Sequence, residues 1–424
     1  MSKLSRWVRV GACLVVVTSV AAGCSSDDEG EADDPSPSSE SSGSPGEAAS
    51  GDPVRVGFHS VEGGAISLPE IRIGFEQGVR YVNEELGGIA GAPLEAVSCS
   101  TDGTPEKAVD CANQFVEEDV AASVQGIELA GAAMLPILED AGIAEIGMAS
   151  FTPEQHVDVG HSFFFGNAAP STNLATLLAM QEQGAESVRI FLGDVPVGHE
   201  DFEEIIEPTA ETLGMDVEAI FYPLSNPDWT SLVTSALEDE PDAIAFVAAP
   251  EPDCIGMMTA ASQMQYEGIT FLGTCTQYIS VLGEAAEGSL TMADQYDLSV
   301  ADQAPPEKAE AIQTYIDWME DADEGDLTEG PTASLALAGF ALAVDLAGAL
   351  SQIDGDLDAA AVLEGMPTVS GERFIGNTYD CDGSAWPGHT GCSLGQLVYE
   401  TNADGSRSLV SDGFLDLTEY VPSS

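Results

Sequence analysis

From residue 54 onward, short runs of β-branched and aliphatic residues alternate with longer segments in which apolar side chains recur every three or four positions. The short runs predict strands at 54–58 (VRVGF), 94–99, 121–126, 144–148, 187–193, 217–223, 243–249 and 269–274. Between them the spacing predicts helices. Leu68 to Leu86 places Ile71, Phe75, Val79 and Val82 on one face, and Pro105 to Glu118 does the same with Ala108, Ala112 and Phe115. Strands alternating with helices predict parallel sheets joined by right-handed crossovers, the doubly wound α/β class. The run AIAFVAA at 243–249 is apolar throughout, as a strand covered on both faces should be.

The alternation falls into two blocks, broken near Phe163 to Asn173, where an aromatic run leads into a new helix. Two lobes are therefore expected. Helical segments at 306–320 and 331–350 follow, and then strand-like stretches around Gln396–Asn402 and Ser408–Leu417, joined by the turn-forming Ala403-Asp404-Gly405. This late return of helices and strands predicts that the chain passes between the lobes more than once.

The N-terminal pattern differs. Residues 1–23 carry Lys3, Arg6 and Arg9, no acid, and then the apolar run Gly11–Ala22, which is shorter than the ~20 residues a membrane span takes. A cleaved signal peptide is expected. Val20-Ala21-Ala22-Gly23-Cys24 resembles the lipobox of bacterial lipoproteins, in which the cysteine thiol accepts diacylglycerol; Cys24 is the expected lipidation site. Residues 25–52 contain no apolar side chain larger than Ala, Pro aside, so no core can form there. As a random coil that tether spans on the order of 30 Å, enough to let a folded body move above a membrane. No other apolar stretch both reaches membrane length and lacks charge.

The chain has 424 residues, with 11 Lys+Arg against 73 Asp+Glu. After residue 23, eight basic residues face 73 acids, a formal charge of −65. A nucleic-acid binder needs a basic surface to displace counterions, so nucleic acid is excluded as a partner. Beyond Cys13 and Cys24, six cysteines remain. In an exported chain they suggest three disulfides; 15 pairings are formally open, and the spacing suggests sequential neighbours, Cys99 with Cys111, Cys254 with Cys275 and Cys381 with Cys392.

The stretch VRVGFHSVEGG, the helix ending Tyr81-Val82-Asn83-Glu84, and Gly87-Gly88-Ile89-Ala90-Gly91-Ala92-Pro93-Leu94 resemble the opening of extracellular solute-binding proteins of the branched-chain amino acid ABC transporter type. Asp102 to Ala108, Leu135 to Ile143 and Pro153-Glu154 continue the likeness, which runs from about 54 to 418, and the Cys381–Cys392 segment looks like the end of actinobacterial members. The resemblance implies a type I periplasmic-binding fold, α/β, with two Rossmann-like lobes joined by a three-strand hinge and a ligand held between them. It places residues 1–23 in the signal, 24–52 in the tether, 53–168 with 300–372 in the N-terminal lobe, and 169–299 with 373–420 in the C-terminal lobe.

In open α/β sheets ligands bind outside the strand C-termini, where helix N-termini converge. The expected cleft loops are Ser60–Ala65, Glu128–Gly131, Ser150–Thr152, Asp194–Gly198, Ala249–Asp253 and Cys275–Gln277. Within them Ser60, Glu128, Ala130, Ser150, Phe151, Val197, Glu251 and Gln277 are the candidate ligand-binding residues. Relatives commonly place a Ser hydroxyl where this chain has Ala130, a Thr where it has Phe151 beside Ser150, and a Tyr where it has Val197. Those changes remove hydroxyls, so a standard amino-acid zwitterion pose is not expected. Phe151 offers an apolar or stacking wall, and Glu128, Glu251 and Asp253 are the acids set to meet an ammonium.

His59, His156 and His199 fall after strands, but in different loops and without helical i, i+4 spacing, so no metal site is expected. Asp321 to Asp326 lacks the ligand spacing of a calcium loop and reads as a solvated connector. No Gly-x-Ser-x-Gly elbow, phosphate loop, GxGxxG or His-Glu-x-x-His helix occurs, which argues against an enzyme and implies no cofactor. The expectation is a monomeric, lipid-anchored receptor on the outer face of the cell membrane. It would capture an amino acid, amide or related organic acid for an ABC permease and its cytoplasmic ATPase; a sensor presenting its closed form to a membrane receptor is the alternative.

Overall fold

A computed structural model describes residues 48–421 except 65, 248 and 331. The signal segment, Cys24 and most of the tether lie outside the described residues. The chain first lays down β1 (Val54–Gly63), β2 (Ile66–Ser67), β3 (Leu94–Thr101), β4 (Ala122–Gln125), β5 (Ala144–Gly147) and β6 (Ser162–Asn167). Then come β7 (Ser187–Gly193), β8 (Asp216–Tyr222), β9 (Ala243–Phe246), β10 (Ile269–Leu272) and β11 (Leu290–Ala293). Last are β12 (Ser370–Glu372), β13 (Thr378–Asp380), β14 (Gly391–Ser393), β15 (Leu397–Thr401) and β16 (Arg407–Leu409).

Two seven-stranded sheets result. In the first, β3, β1, β4, β5, β6 and β14 run parallel in that order, with β2 folded back on β1. In the second, β8, β7, β9, β10 and β11 run parallel, followed by antiparallel β15 and β16. The parallel order is the same in both: the second strand, the first, then the third, fourth and fifth. This is the two-lobed type I periplasmic-binding architecture, and each expected strand is present.

Six strands, β2, β6, β11, β12, β13 and β14, have no counterpart among the expected ones, and β6 and β11 matter most because each is the fifth parallel strand of its lobe. β6 occupies the aromatic run that marks the break between blocks; Phe163, Phe164 and Phe165 are all buried, so no alternation betrays a strand. β11 is four residues long, too short for a pattern. The stretch Ser408–Leu417 is strand only at its start, within β16.

Helix Ala333–Leu350 is long and apolar enough to cross a membrane by composition alone, yet most of it is buried in the first lobe against helix Pro69–Glu84. Small residues let the two backbones approach. A Cβ added at Gly74 would stand 1.9 Å from the Ala336 carbonyl, and one at Gly339 would stand 2.1 Å from that of Ile71. Phe58 of β1 stacks on Phe75 of the same helix pair at 4.2 Å, and each such fully buried ring contributes ~2–3 kcal/mol.

The three disulfides join the expected neighbours, with Cα separations of 5.7 Å for Cys99–Cys111, 6.6 Å for Cys254–Cys275 and 4.5 Å for Cys381–Cys392. The last corrects the expected lobe boundary at 372/373. Cys392 sits in β14, which pairs with β6, and Cys381 packs in the first core, so β14 and its disulfide belong to the first lobe, while Trp386 between the two cysteines packs in the second core.

Candidate functional site

β6 leaves the first sheet at its C-terminal edge and leads into helix Ala169–Glu182 of the second lobe; β11 leaves the second sheet at its C-terminal edge; β14 leads directly to β15. The C-terminal edges of both sheets therefore adjoin one three-segment hinge, and the gap between them is where a doubly wound sheet receives its ligand.

The hinge segments are bound to one another by buried polar groups. Asn167 donates from its amide to the Gly395 carbonyl at 2.6 Å and accepts from the Gly395 N–H at 2.8 Å. Arg373, only 3% exposed, donates to Asp294 Oδ2 at 2.7 Å, to the Asp294 carbonyl at 3.1 Å and to Gln295 Oε1 at 3.1 Å. Asp345 stands 3.7 Å behind it. Burial pushes the Asp345 carboxyl up to about 6, with the Arg373 charge working against that rise.

On the first lobe, the sheet edge is fixed from below. His59, at the β1/β4 switch point, is fully buried, with Nε2 2.8 Å from Glu145 Oε1 on β5 and Nδ1 3.9 Å from Glu128 Oε2. Burial alone would push the imidazole down, but the charges of Glu145 and Glu128 and the hydrogen bond to Glu145 hold it up at about 9. Glu128 accepts from Thr101 Oγ1 and from the Ala130 N–H at 2.8 Å. Burial works against its ionisation, yet the nearby His59 and the hydrogen bonds from Thr101 and Ala130 keep its carboxyl below the ordinary range. Ser60 Oγ lies 3.3 Å from both the N–H and the carbonyl of Ile127. Gln155 donates to Gln125 Oε1 at 2.6 Å and accepts from the Phe151 N–H at 3.2 Å, holding the 150–152 loop. What this wall leaves at its surface is Ser150, Phe151 and the 45%-exposed Leu129.

The second lobe is built differently. Phe191, Tyr222 and Phe246, near the C-termini of β7, β8 and β9, close around Trp229, with ring separations of 4.9–5.7 Å to Trp229. Asp253, in the first turn of helix Glu251–Gln263, is 8% exposed and accepts from the Tyr222 hydroxyl at 3.5 Å. Burial raises its pKa, against hydrogen bonding from Trp229 and Tyr222. Glu251 accepts through Oε1 from the N–H groups of Thr276 and Gln277 at 2.7 and 3.0 Å, capping helix Gln277–Leu282, while its shielded Oε2 has no partner. Cys254–Cys275 clamps the same two helix starts together. Val197 and Leu224 stand exposed at the ends of β7 and β8.

The candidate residues thus divide. Ser150, Phe151, Val197, Glu251 and Gln277 stand at the two edges with some exposure; Ser60, Ala130 and Glu128 sit inside the first wall. Glu128 is spent on His59, Thr101 and Ala130, which removes it as a partner for an ammonium. His59 is not the loop residue the sequence suggested but part of β1, and sequence reasoning missed both it and Glu145 as the support beneath the Glu128 loop; His199 pairs with Asp194 on the other lobe. The signal is an ionisable Glu145 inside the otherwise apolar predicted strand 144–148, with His59 directly after the predicted strand 54–58, two strands away in the sheet.

The periplasmic binding protein family matches residues 53–389. Solved structures share the fold at low identity. A leucine binding protein from Thermotoga maritima is 20% identical with TM-score 0.64, covering 84% of this chain and 98% of its own. An ABC transporter substrate-binding protein from Desulfitobacterium hafniense, in complex with Leu, is 20% identical with TM-score 0.66, covering 85% and 100%. A fatty acid ABC transporter substrate-binding protein from Thermomonospora curvata is 15% identical with TM-score 0.68, covering 89% and 97%. No curated protein matches. With the family match running from β1 through β13 and covering most of the chain, the chain belongs to the periplasmic binding protein family.

Proposed function

We propose that this protein is the extracytoplasmic substrate-binding component of an ABC importer, tethered to the membrane through a lipid on Cys24. It captures a small organic solute of the amino acid, amide or organic acid kind between its lobes and delivers it unchanged to a permease powered by a cytoplasmic ATPase. The observation that carries this reading is that both sheets turn their C-terminal edges to one three-segment hinge. A solute touching both edges stabilises the closed arrangement by its differential affinity, and a permease can read that state. The apolar side chains at the two edges, Leu129 and Phe151 on one and Val197 and Leu224 on the other, favour a solute with an apolar portion. Leu and fatty acid, named for two of the structural neighbours, share that property.

Melting-temperature screening against amino acids, amides and small carboxylates tests the reading, because a solute that binds only the folded state raises the midpoint. Small-angle scattering with the best compound should show a smaller radius of gyration. Conversion of the compound to product, or an unchanged profile at saturation, would end the proposal. Phe151→Ala should weaken the bound compound at least tenfold if that ring is a wall of the site.

A further inference from the structure

Arg373 lies where the second hinge segment meets the first lobe, with a carboxylate on either side of its guanidinium. It sits in the turn between β12 and β13, whose Tyr379 packs in the first core, so its own backbone belongs to the first lobe. On one side is Asp294, the first residue after β11 of the second sheet. On the other is Asp345, on helix Ala333–Leu350 of the first lobe.

The two acids are not held equally. Nη1 donates to Oδ2 and to the carbonyl of Asp294, and Nη2 donates to Gln295 Oε1. Nε is buried with no acceptor within hydrogen-bond distance, and Asp345 Oδ2 stands 3.7 Å from it. A buried N–H without an acceptor is costly, and about 1 Å of movement would bring this one to the ~2.8 Å of a charge-assisted bond with Asp345. The guanidinium is thus bonded toward the second lobe's strand and one bond short toward the first lobe's helix.

Its two neighbours belong to parts that move apart or together as the lobes swing. Asp294 Oδ2 also rests against Gly166 of β6, where a Cβ would stand 2.8 Å from it, so the second hinge segment packs on the first at this carboxylate. The Gln295 carbonyl accepts from the Tyr399 hydroxyl of β15 at 3.0 Å. Asp345 is anchored in the first lobe, its Oδ1 accepting from the Phe374 N–H at 2.5 Å. Rotation of β11 and β15 against the first sheet therefore moves Asp294 relative to Asp345, with Arg373 between them.

We propose that Arg373 is a two-position latch that sets the balance of lobe arrangements, exchanging its hold on Asp294 and Gln295 for one on Asp345, and that a proton on Asp345 keeps it on Asp294. The other charges that face Asp345 are Asp294 itself and Lys308 of helix Pro306–Asp321, whose ammonium donates to the Arg373 carbonyl at 2.6 Å with Glu307 and Glu372 nearby. Tyr379 of β13 also faces it, its phenol pushed up to about 12 by burial. Asp345, raised by burial to about 6, changes charge between pH 5 and 8. Below its midpoint the neutral carboxyl does not compete for the guanidinium, and the arrangement described here is favoured. Above it the carboxylate draws Nε and loosens the hold on Asp294.

Small-angle scattering on the purified protein without solute reads the lobe arrangement between pH 5 and 8. The profile should match the arrangement described here at low pH and change once, with a midpoint near 6, to a different radius of gyration. Asp345→Asn keeps an oxygen for the Phe374 N–H but has no charge to titrate, and should hold the low-pH profile throughout. Arg373→Lys keeps the charge without the fork and should abolish the change. A parent protein whose profile is the same across the range overturns the latch, and that measurement needs no variant. A variant of either residue that changes as the parent does overturns it as well. Because no solute enters the measurement, failure of the latch leaves the importer reading standing, and failure of the solute screen leaves the latch standing.

Discussion

The two lobes repeat one strand order but fill the space behind their binding edges in opposite ways. In the first, the layer between sheet and helices holds an imidazole and two carboxylates, His59, Glu128 and Glu145, all fully buried. In the second, the same layer holds four aromatic rings, Phe191, Tyr222, Phe246 and Trp229. Topology therefore dictates where a ligand edge lies, not what supports it. The ionic support is directional and pins the loop 126–131 through Glu128; the aromatic support is not directional, and of the acids beside it Asp253 accepts from Tyr222 while Glu251 accepts from Thr276 and Gln277.

Removing the central member of each support should break them in distinguishable ways. His59→Ala leaves Glu128 and Glu145 buried without a cation and should cost about 3–5 kcal/mol. Phe246→Ala in the second lobe should cost a similar ~3–5 kcal/mol through its cavity. The two losses separate on rescue. Adding Glu145→Gln to His59→Ala should recover part of the stability in denaturant unfolding, because one buried charge disappears with its lost partner. An unrescued double variant would show that the first lobe's support is packing as well.

The pH dependence sharpens the contrast. His59 is held at about 9 in the folded protein against an ordinary 6.5, so its stabilising contribution is complete below 6.5 and is lost as pH rises through about 9. The amplitude is on the order of 3 kcal/mol. The denaturation midpoint should fall between pH 7 and 10, and His59→Gln should flatten that fall. A parent protein with a flat profile over this range would mean that the imidazole is neutral and the triad holds together by shared protons instead.

The sequence showed the parallel strands and amphipathic helices of both lobes openly, and hid what stands behind the first lobe's edge. Parallel strands such as Ala243–Phe246 read clearly because both faces are covered, and the helix Pro69–Glu84 read clearly because its apolar face repeats. Phe151, Val197 and Glu251 were legible as edge residues because a doubly wound sheet fixes which loops reach the edge. The inward direction of Glu128 was not, since a loop glutamate carries no local sign of whether it faces solvent or a histidine from a strand 69 positions earlier. Nor was the crossing after Ser393, because β14 is only three residues long and takes its place by pairing with β6, a contact between distant parts of the chain.

Glu128 and Glu251 allow the smallest and most discriminating test, for both follow the third parallel strand of their lobe and both looked alike as acids for an ammonium. Glu128→Gln removes the charge opposite His59 and weakens the bonds from Thr101 and Ala130, for an expected loss of about 2 kcal/mol. Glu251→Gln keeps one oxygen for the Thr276 and Gln277 N–H groups and gives up only the charge at a helix start, an expected loss of roughly 0.5 kcal/mol. Thermal unfolding of the two variants without ligand measures both. A larger loss at Glu251 would mean that its carboxylate, not that of Glu128, is the structural one, and that the roles of the two edges have to be exchanged. Equal small losses would mean that the Glu128 loop is held by Ser60 and Ile127 alone, so that His59 and Glu145 form a pair without a third member.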